Sequence, residues 1–290
     1  MTTSTALALP APGVSVVDAP ALDVPALDVP ALDVPALDVP ALDAPALDAP
    51  GLGAAGLDVA GLDVAGLDVA GLNPAVRNLP VLSVPVGPGL PTAHVAVLPA
   101  HATDTGFATA EERAASEDMG PLRANEFLRG RSLLRQLVAK VLGPRAAARP
   151  LRTTGRGRPL LLPGVGVSIS HTDQHTAAAV WTGGEIGVDV AEPSAPLHHG
   201  LVRRCCGPHA GDVLARSDAA DAFSRVWAVQ EACVKATGMG LADLPWRIPV
   251  HPDAREGRWR RVRWRLVDVG PPCALAVRPG PTAHRHEEAR

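Results

Sequence analysis

The stretch Trp227-Ala228-Val229-Gln230-Glu231-Ala232-Cys233-Val234-Lys235 decides how this chain is read. It sits in a segment, residues 223–237, whose Phe223, Val226, Trp227, Gln230 and Val234 recur at helical spacing. Gly238 follows as a natural stop. Glu231 and Lys235 stand four residues apart and share one helix face. Trp227, one turn earlier, ties that face to the core. Taken alone, the pair also fits an ordinary surface ion pair.

A second stretch changes its weight. In Ile186-Gly187-Val188-Asp189-Val190-Ala191-Glu192, Ile186, Val188 and Val190 alternate to one side of a strand. Gly187, Asp189 and Ala191 fall on the other side. A carboxylate in such a strand needs a partner or a cation, because burying an unpaired charge is costly; a solvent-facing strand end is the plainer alternative. Brought together, Asp189 and Glu231 make the two-carboxylate set that Mg²⁺ uses when phosphate oxygens complete its octahedron. Lys235 then serves as a point charge on phosphate. Gly157-Arg158-Pro159 and Ser168-Ile169-Ser170-His171-Thr172 lie upstream, the latter following a strand. A lone His fits a structural role, but His171 beside Arg158 and a basic helix points to an anion site.

Working outward, strands are expected at residues 94–98, 165–170, 177–181, 186–190, 259–267 and 273–277. Thr109-Ala110-Glu111-Glu112 reads as a capping box. A helix over 126–142 carries Phe127, Leu134, Leu137, Val138, Val141 and Leu142 on one stripe and ends at Gly143-Pro144. Arg129, Arg131 and Arg135 fall on or near another face. The expected fold class is α+β, with two similar-sized halves, 92–182 and 183–280, meeting near Thr182 to Glu185.

These pieces, in this order, resemble the larger, Sfp-like members of the 4′-phosphopantetheinyl transferase superfamily. The family's Gly-(Ile/Val)-Asp and Trp-x-x-Lys-Glu-x-x-x-Lys pattern reads here as Gly187-Val188-Asp189 and Trp227 to Lys235. Residues 127–135 resemble its first-half helix. Gly157-Arg158-Pro159 and Ser170-His171-Thr172 resemble its Gly-Lys-Pro and Ser-His-Ser elements. The resemblance covers about residues 93–277 and implies a pseudo-twofold pair of similar α/β subdomains with coenzyme A in the cleft between them. It implies Asp189 and Glu231 as Mg²⁺ ligands and Lys235 on phosphate. Arg158 and His171 would hold the adenosine 3′-phosphate, with help from basic residues of the first half, and Ser170 would also contact coenzyme A. Glu231, or a water it orients, would take a proton. The implied activity is holo-[acyl-carrier-protein] synthase type: 4′-phosphopantetheine passes from coenzyme A to a Ser of an apo acyl or peptidyl carrier protein, an acidic partner, releasing 3′,5′-ADP. A place in secondary metabolite biosynthesis goes with it. Two positions depart from the pattern. Ala191 stands where many relatives carry a second acid, with Glu192 pointing the other way unless the strand ends or bulges. Gln230 replaces a Lys. A degenerate relative that binds coenzyme A or a carrier without transfer is the alternative reading.

The rest of the chain sets bounds. Residues 1–79 carry ten Asp and one Arg, so the net charge of −3 splits into −9 there and +6 in the remainder. A basic body suits an acidic partner. An Ala-Leu-Asp-Val-Pro repeat, drifting to Gly-Leu-Asp-Val-Ala, runs from Asp18 to Leu72. Pro every fifth residue defeats helix and central strand, and a period of five builds no apolar face, so a disordered tail is expected. Residues 80–91 read as a linker and 281–290 as a closing tail. An interaction protein whose function lies in the repeat is the competing class. Asp within the Ala/Leu/Val-rich stretch excludes a membrane span, and the N-terminus shows no secretory signal. Four Cys without a paired framework suggest a cytoplasmic, reduced protein, and a monomer is expected. The run Arg258-Trp259-Arg260-Arg261-Val262-Arg263-Trp264-Arg265 fits a one-sided strand more simply than a nucleic-acid surface, so no nucleic-acid partner is expected. His198, His199, Cys205, Cys206 and His209 match no standard zinc spacing.

Overall fold

The computed structural model describes residues 74–240 and 244–280. The repeat and the 281–290 tail lie outside the described residues. The ordered chain opens earlier than the sequence suggests. A short helix α1 (Pro74–Arg77) and strand β1 (Leu82–Val84) fall in what reads as tail and linker. Val76, Leu79 and Val84 are buried, which is why this segment belongs to the body. Lys140 fastens it by donating to the carbonyls of Arg77 and Leu79, at 2.8 and 2.7 Å.

Next come β2 (Ala93–Pro99), α2 (Ala110–Ala115), α3 (Pro121–Leu142), α4 (Pro144–Ala147), and the short hairpin β3 (Arg152–Thr153) and β4 (Pro159–Leu160). Then follow β5 (Gly166–His171), β6 (His175–Trp181) and β7 (Gly184–Val190). The remaining elements are α5 (His199–Cys206), α6 (Ala210–Leu214), α7 (Ala219–Thr237), β8 (Glu256–Trp259), β9 (Val262–Leu266) and β10 (Cys273–Pro279). The fold is mixed α and β. Two four-stranded antiparallel sheets run in the orders β1-β2-β6-β5 and β7-β10-β9-β8.

Strand alternation stacks four layers. Ala178 and Val180 of β6 pack under Leu133, Leu134, Leu137 and Val138 of α3. Their neighbours Ala177, Ala179 and Trp181 face the other sheet, meeting Ile186, Val188, Val190 and Leu275. The far side of that second sheet, through Ala274 and Ala276, packs against Val229, Ala232, Cys233 and Ala236 of α7. The order is helix, sheet, sheet, helix. Period-two burial on each strand and period-3.6 burial on each helix produce it.

Two glycines let the helices approach their sheets. A side-chain carbon at Gly187 would collide with the Ala232 carbonyl and lie 2.6 Å from the Ala236 nitrogen, so α7 rests directly on the backbone of β7. In the first half, a carbon at Gly130 would stand 2.7 Å from Ile169 Cγ2.

Two expectations are corrected. Residues 259–267 are a hairpin, β8–β9, turning at Arg260, which adopts φ 53°. The inward Val262, Trp264 and Leu266 are buried nonetheless. Arg131 and Arg135 of α3 turn inward and are buried. Arg135 grips the Glu112 carboxylate with Nε and Nη2, both at 2.8 Å, and donates to the Ala147 and Arg149 carbonyls. Arg131 lies 4.9 Å over the Phe127 ring. The Arg135 guanidinium is spent inside the first half, where the Thr109 capping box delivers Glu112 to it, whereas Arg131 Nη1 is buried without a hydrogen-bond partner.

Candidate functional site

The site grows from the seam between the two sheets. β5 and β7 are edge strands, and edge strands carry unpaired backbone donors. Serine hydroxyls at alternate positions of β5 meet that need. Ser168 Oγ accepts from the Val188 N–H at 3.0 Å, and Ser170 Oγ accepts from the Val190 N–H at 3.3 Å. The Ser170 hydroxyl in turn donates to Asp189 Oδ1 at 2.8 Å. The Ser-Ile-Ser alternation therefore bridges the halves while Ile169 packs on α3.

Asp189 is buried, and its second partner is Lys235 Nζ at 2.7 Å from Oδ1. Lys235 also donates to the carbonyls of Ile169, at 3.4 Å, and Val188, at 3.2 Å. All three ammonium donors thus have acceptors, one from each strand and one carboxylate. Lys235 holds the seam as well as the acid.

Glu231 stands one helical turn before Lys235. Its Oε1 is buried and has no hydrogen-bond partner. Burial first, and then the like charge of Asp189, push its carboxyl above the ordinary range, against the pull of Lys235. An orphaned carboxylate oxygen beside a second carboxylate fits a hard cation. Among the described residues no group of three or more His, Cys, Asp or Glu forms a metal cage. Two protein acids with the remaining positions left to phosphate oxygens and water is the arrangement suited to Mg²⁺.

Asp189, Glu231, Lys235, Ser170 and His171 all line one cavity of about 740 Å³, together with Trp227 and Glu192. His171 lies at its rim with Nε2 3.3 Å from a Glu126 carboxylate oxygen of α3. Arg158 is elsewhere. It lines an adjoining cavity of about 210 Å³ that shares only Ile169 and Lys235 with the larger one. It forms an ion pair with Glu185 of β7. Arg158 and His171 thus line different cavities, with Lys235 and Ile169 on the wall of both.

Both departures from the pattern acquire a physical account. Gln230 is fully buried and faces away from the cavity, its amide donating to the carbonyls of Cys205 (2.8 Å) and Ile248 (2.9 Å). In this chain position 230 ties α7 to α5, and a charge there would meet two carbonyls instead of phosphate. β7 ends at Val190, so the alternation that turns Glu192 away has already lapsed. Glu192 Oε1 accepts from the Thr172 hydroxyl at 2.7 Å and lies 2.6 Å from His175 Nδ1.

Sequence reasoning missed Glu126, Glu185 and the Thr172–His175 clamp on Glu192. Glu185 and the clamp residues lie at or beside strand ends, where periodicity carries no signal, and Glu126 is a polar residue in the second turn of α3, off its apolar stripe. The Ser168–Ser170 alternation was legible, but its use as a backbone acceptor was not. His198 caps α5, accepting from the Leu201 N–H at 3.2 Å. Burial pushes the Cys205 and Cys206 thiols up to about 11.

The 4′-phosphopantetheinyl transferase N-terminal domain profile matches residues 111–181, and the profile of the superfamily matches residues 185–268. Over 135 residues the chain is 28% identical to the L-aminoadipate-semialdehyde dehydrogenase-phosphopantetheinyl transferase of Rattus norvegicus. That match takes in 41% of this chain and 44% of the relative, so it spans less than half the length of the protein it resembles. The two profiles adjoin where β6 gives way to β7, and between them they contain all six residues considered for the site; this chain belongs to the 4′-phosphopantetheinyl transferase superfamily.

Proposed function

We propose that the protein transfers the 4′-phosphopantetheine group of coenzyme A to a serine hydroxyl of an apo acyl or peptidyl carrier protein, with Mg²⁺, releasing 3′,5′-ADP. The observation that carries this reading is the Glu231 oxygen, buried and unpartnered beside the Asp189–Lys235 pair in the largest of the cavities described. Asp189 and Glu231 would hold the cation on the diphosphate. Mg²⁺ bound there would neutralise the charge that gathers on the leaving 3′,5′-ADP.

The protein's own residues do the rest. Ser170 and Lys235 fix the Asp189 carboxylate, so it needs no reorganisation when a ligand arrives. Lys235, partly exposed to the cavity, adds a positive charge beside the phosphates. Glu231, or a water it orients, is read as the group that takes the serine proton. Trp227, Phe223 and Leu201 form the apolar wall along which the pantetheine arm can lie. The two halves are read as a pseudo-twofold pair with coenzyme A at their junction. An acidic carrier suits the basic body, and a monomer in the cytoplasm suits four free thiols.

The test mixes full-length protein, coenzyme A, Mg²⁺ and a panel of apo carriers from fatty-acid, polyketide and peptide synthases. The expected result is a mass gain of one phosphopantetheine on at least one carrier. Coenzyme A bound with no transfer to any carrier would favour the non-catalytic reading.

A further inference from the structure

Glu185 lies between two arginines. Arg158, just ahead of β4, forms an ion pair with it, and Arg278 is its cross-strand partner on β10. Two guanidiniums thus accompany one carboxylate, Arg278 across the ladder and Arg158 in the ion pair, so the cluster keeps a net positive charge. The Arg158 side chain is 13% exposed. Its Nε is buried with no acceptor. Burial, and then the charge of Arg278, hold its pKa below the usual arginine value. The guanidinium packs over Gly238, the left-handed cap of α7, where a side-chain carbon would come within 3.1 Å of Nη1. A larger residue at 238 would be strained at its left-handed φ of 71° and would press on the guanidinium. The adjoining cavity holds Arg158, Ser168 and Lys235 on its wall and shares Lys235 and Ile169 with the larger one.

An arginine with an unsatisfied buried donor, beside a cavity, facing a carboxylate that has a second arginine to turn to, is built to change partners. A phosphate monoester entering the cavity offers Arg158 a bidentate acceptor. Glu185 must then let go, since two anions on one guanidinium repel. Removing one member of an ion pair is costly when the other is left unpaired. Here Arg278 receives the released carboxylate, which lowers that cost.

We propose that Glu185 is a specificity-determining latch: it occupies Arg158 in the ligand-free protein and cedes it to a phosphate monoester of the ligand. Resting on the function proposed above, that group is the 3′-phosphate of coenzyme A. A ligand without it gains nothing by opening the latch, so Glu185 holds down the affinity for coenzyme A alone and narrows its margin over 3′-dephospho-coenzyme A.

Calorimetric titration of the full chain with each ligand, in Mg²⁺, tests this. Wild-type protein should bind coenzyme A more tightly than the dephospho form. Glu185→Gln should tighten coenzyme A on the order of tenfold, the worth of one charge-assisted hydrogen bond no longer contested, and leave dephospho-coenzyme A unchanged. Arg158→Gln should erase the difference between the two ligands. Arg278→Gln, which deprives the released carboxylate of its second partner, should weaken coenzyme A alone, and it serves where Glu185→Gln does not fold. Equal effects on both ligands, an unchanged or weaker coenzyme A affinity in Glu185→Gln, or an Arg158→Gln protein that still discriminates would each overturn the latch while leaving the transferase reading intact. Wild-type protein that binds neither ligand would overturn both.

Discussion

Asp189 shows at the level of single residues why the site was partly legible and partly not. A carboxylate set among Val and Ile announces that something must balance it, and the sequence offers Glu231 and Lys235 four apart to do so. It does not announce that Lys235 spends two donors on strand carbonyls, since backbone acceptors leave no trace in residue type. Glu231→Gln should lower the rate of Mg²⁺-dependent transfer by at least about a hundredfold, as loss of one preorganised charge does, and raise the Mg²⁺ concentration it needs. Transfer assays across Mg²⁺ concentrations check this, and a normal rate would end the site assignment. Ser170→Ala strands the Val190 N–H and removes a donor from Asp189, so it should cost about 1–3 kcal/mol of stability in denaturant melts. Glu112 carries the pH dependence of the first half. Burial raises its pKa, but hydrogen bonds from Arg135 and the Thr109 N–H, with the charges of Arg135 and Arg131, outweigh that and leave it lowered. A lowered carboxylate stabilises the fold above its unfolded-state value and loses that contribution as pH falls through the folded one. Melting temperature should therefore drop on acidification below the ordinary glutamate range, and Glu112→Gln should flatten that fall.

Among the elements, α7 and β7 were read correctly because each has a clean period and a glycine where it needs one. Gly238 stops the helix in the left-handed conformation, and Gly187 allows its close approach to the strand. The β8–β9 hairpin was read as one strand because its turn is made by Arg260, a residue type that gives no turn signal, without Gly, Asn or Pro. The inward arginines of α3 escaped for a related reason. Helical spacing says which residues share a face, but not that a capped neighbour, α2, brings a glutamate to that face. Gly187→Ala should push α7 off its sheet and cost about 1–3 kcal/mol, the usual effect of overpacking. Chemical denaturation checks it, and an unchanged midpoint would show that the contact between helix and strand yields freely.

For the molecule as a whole, the start of the folded body was placed too late because the low complexity of the neighbouring sequence hides helix α1 and strand β1. Val76, Leu79 and Val84 are short apolar interruptions in a stretch already rich in Ala, Leu and Val. Their burial separates two truncations. A chain beginning at Pro74 should keep its melting temperature and its transfer rate. One beginning at Pro85 forfeits three buried side chains worth about 1.5–3 kcal/mol each, and should be markedly less stable. If turnover vanished with the first truncation while the fold persisted, the repeat would hold the function.

The serine rungs between β5 and β7 have one more consequence. The polypeptide crosses from one sheet to the other once, through Thr182 and Gly183, and elsewhere the edges meet through side-chain hydroxyls and a shared apolar layer instead of a continuous backbone ladder. Cleaving that crossing would yield two fragments, each with a helix sealing one side of its sheet and nothing on the other. Neither piece can stay in solution by itself, yet the bare surfaces match, so co-expressed fragments should reassemble into a working pair, a complementation reporter whose signal is the modified carrier.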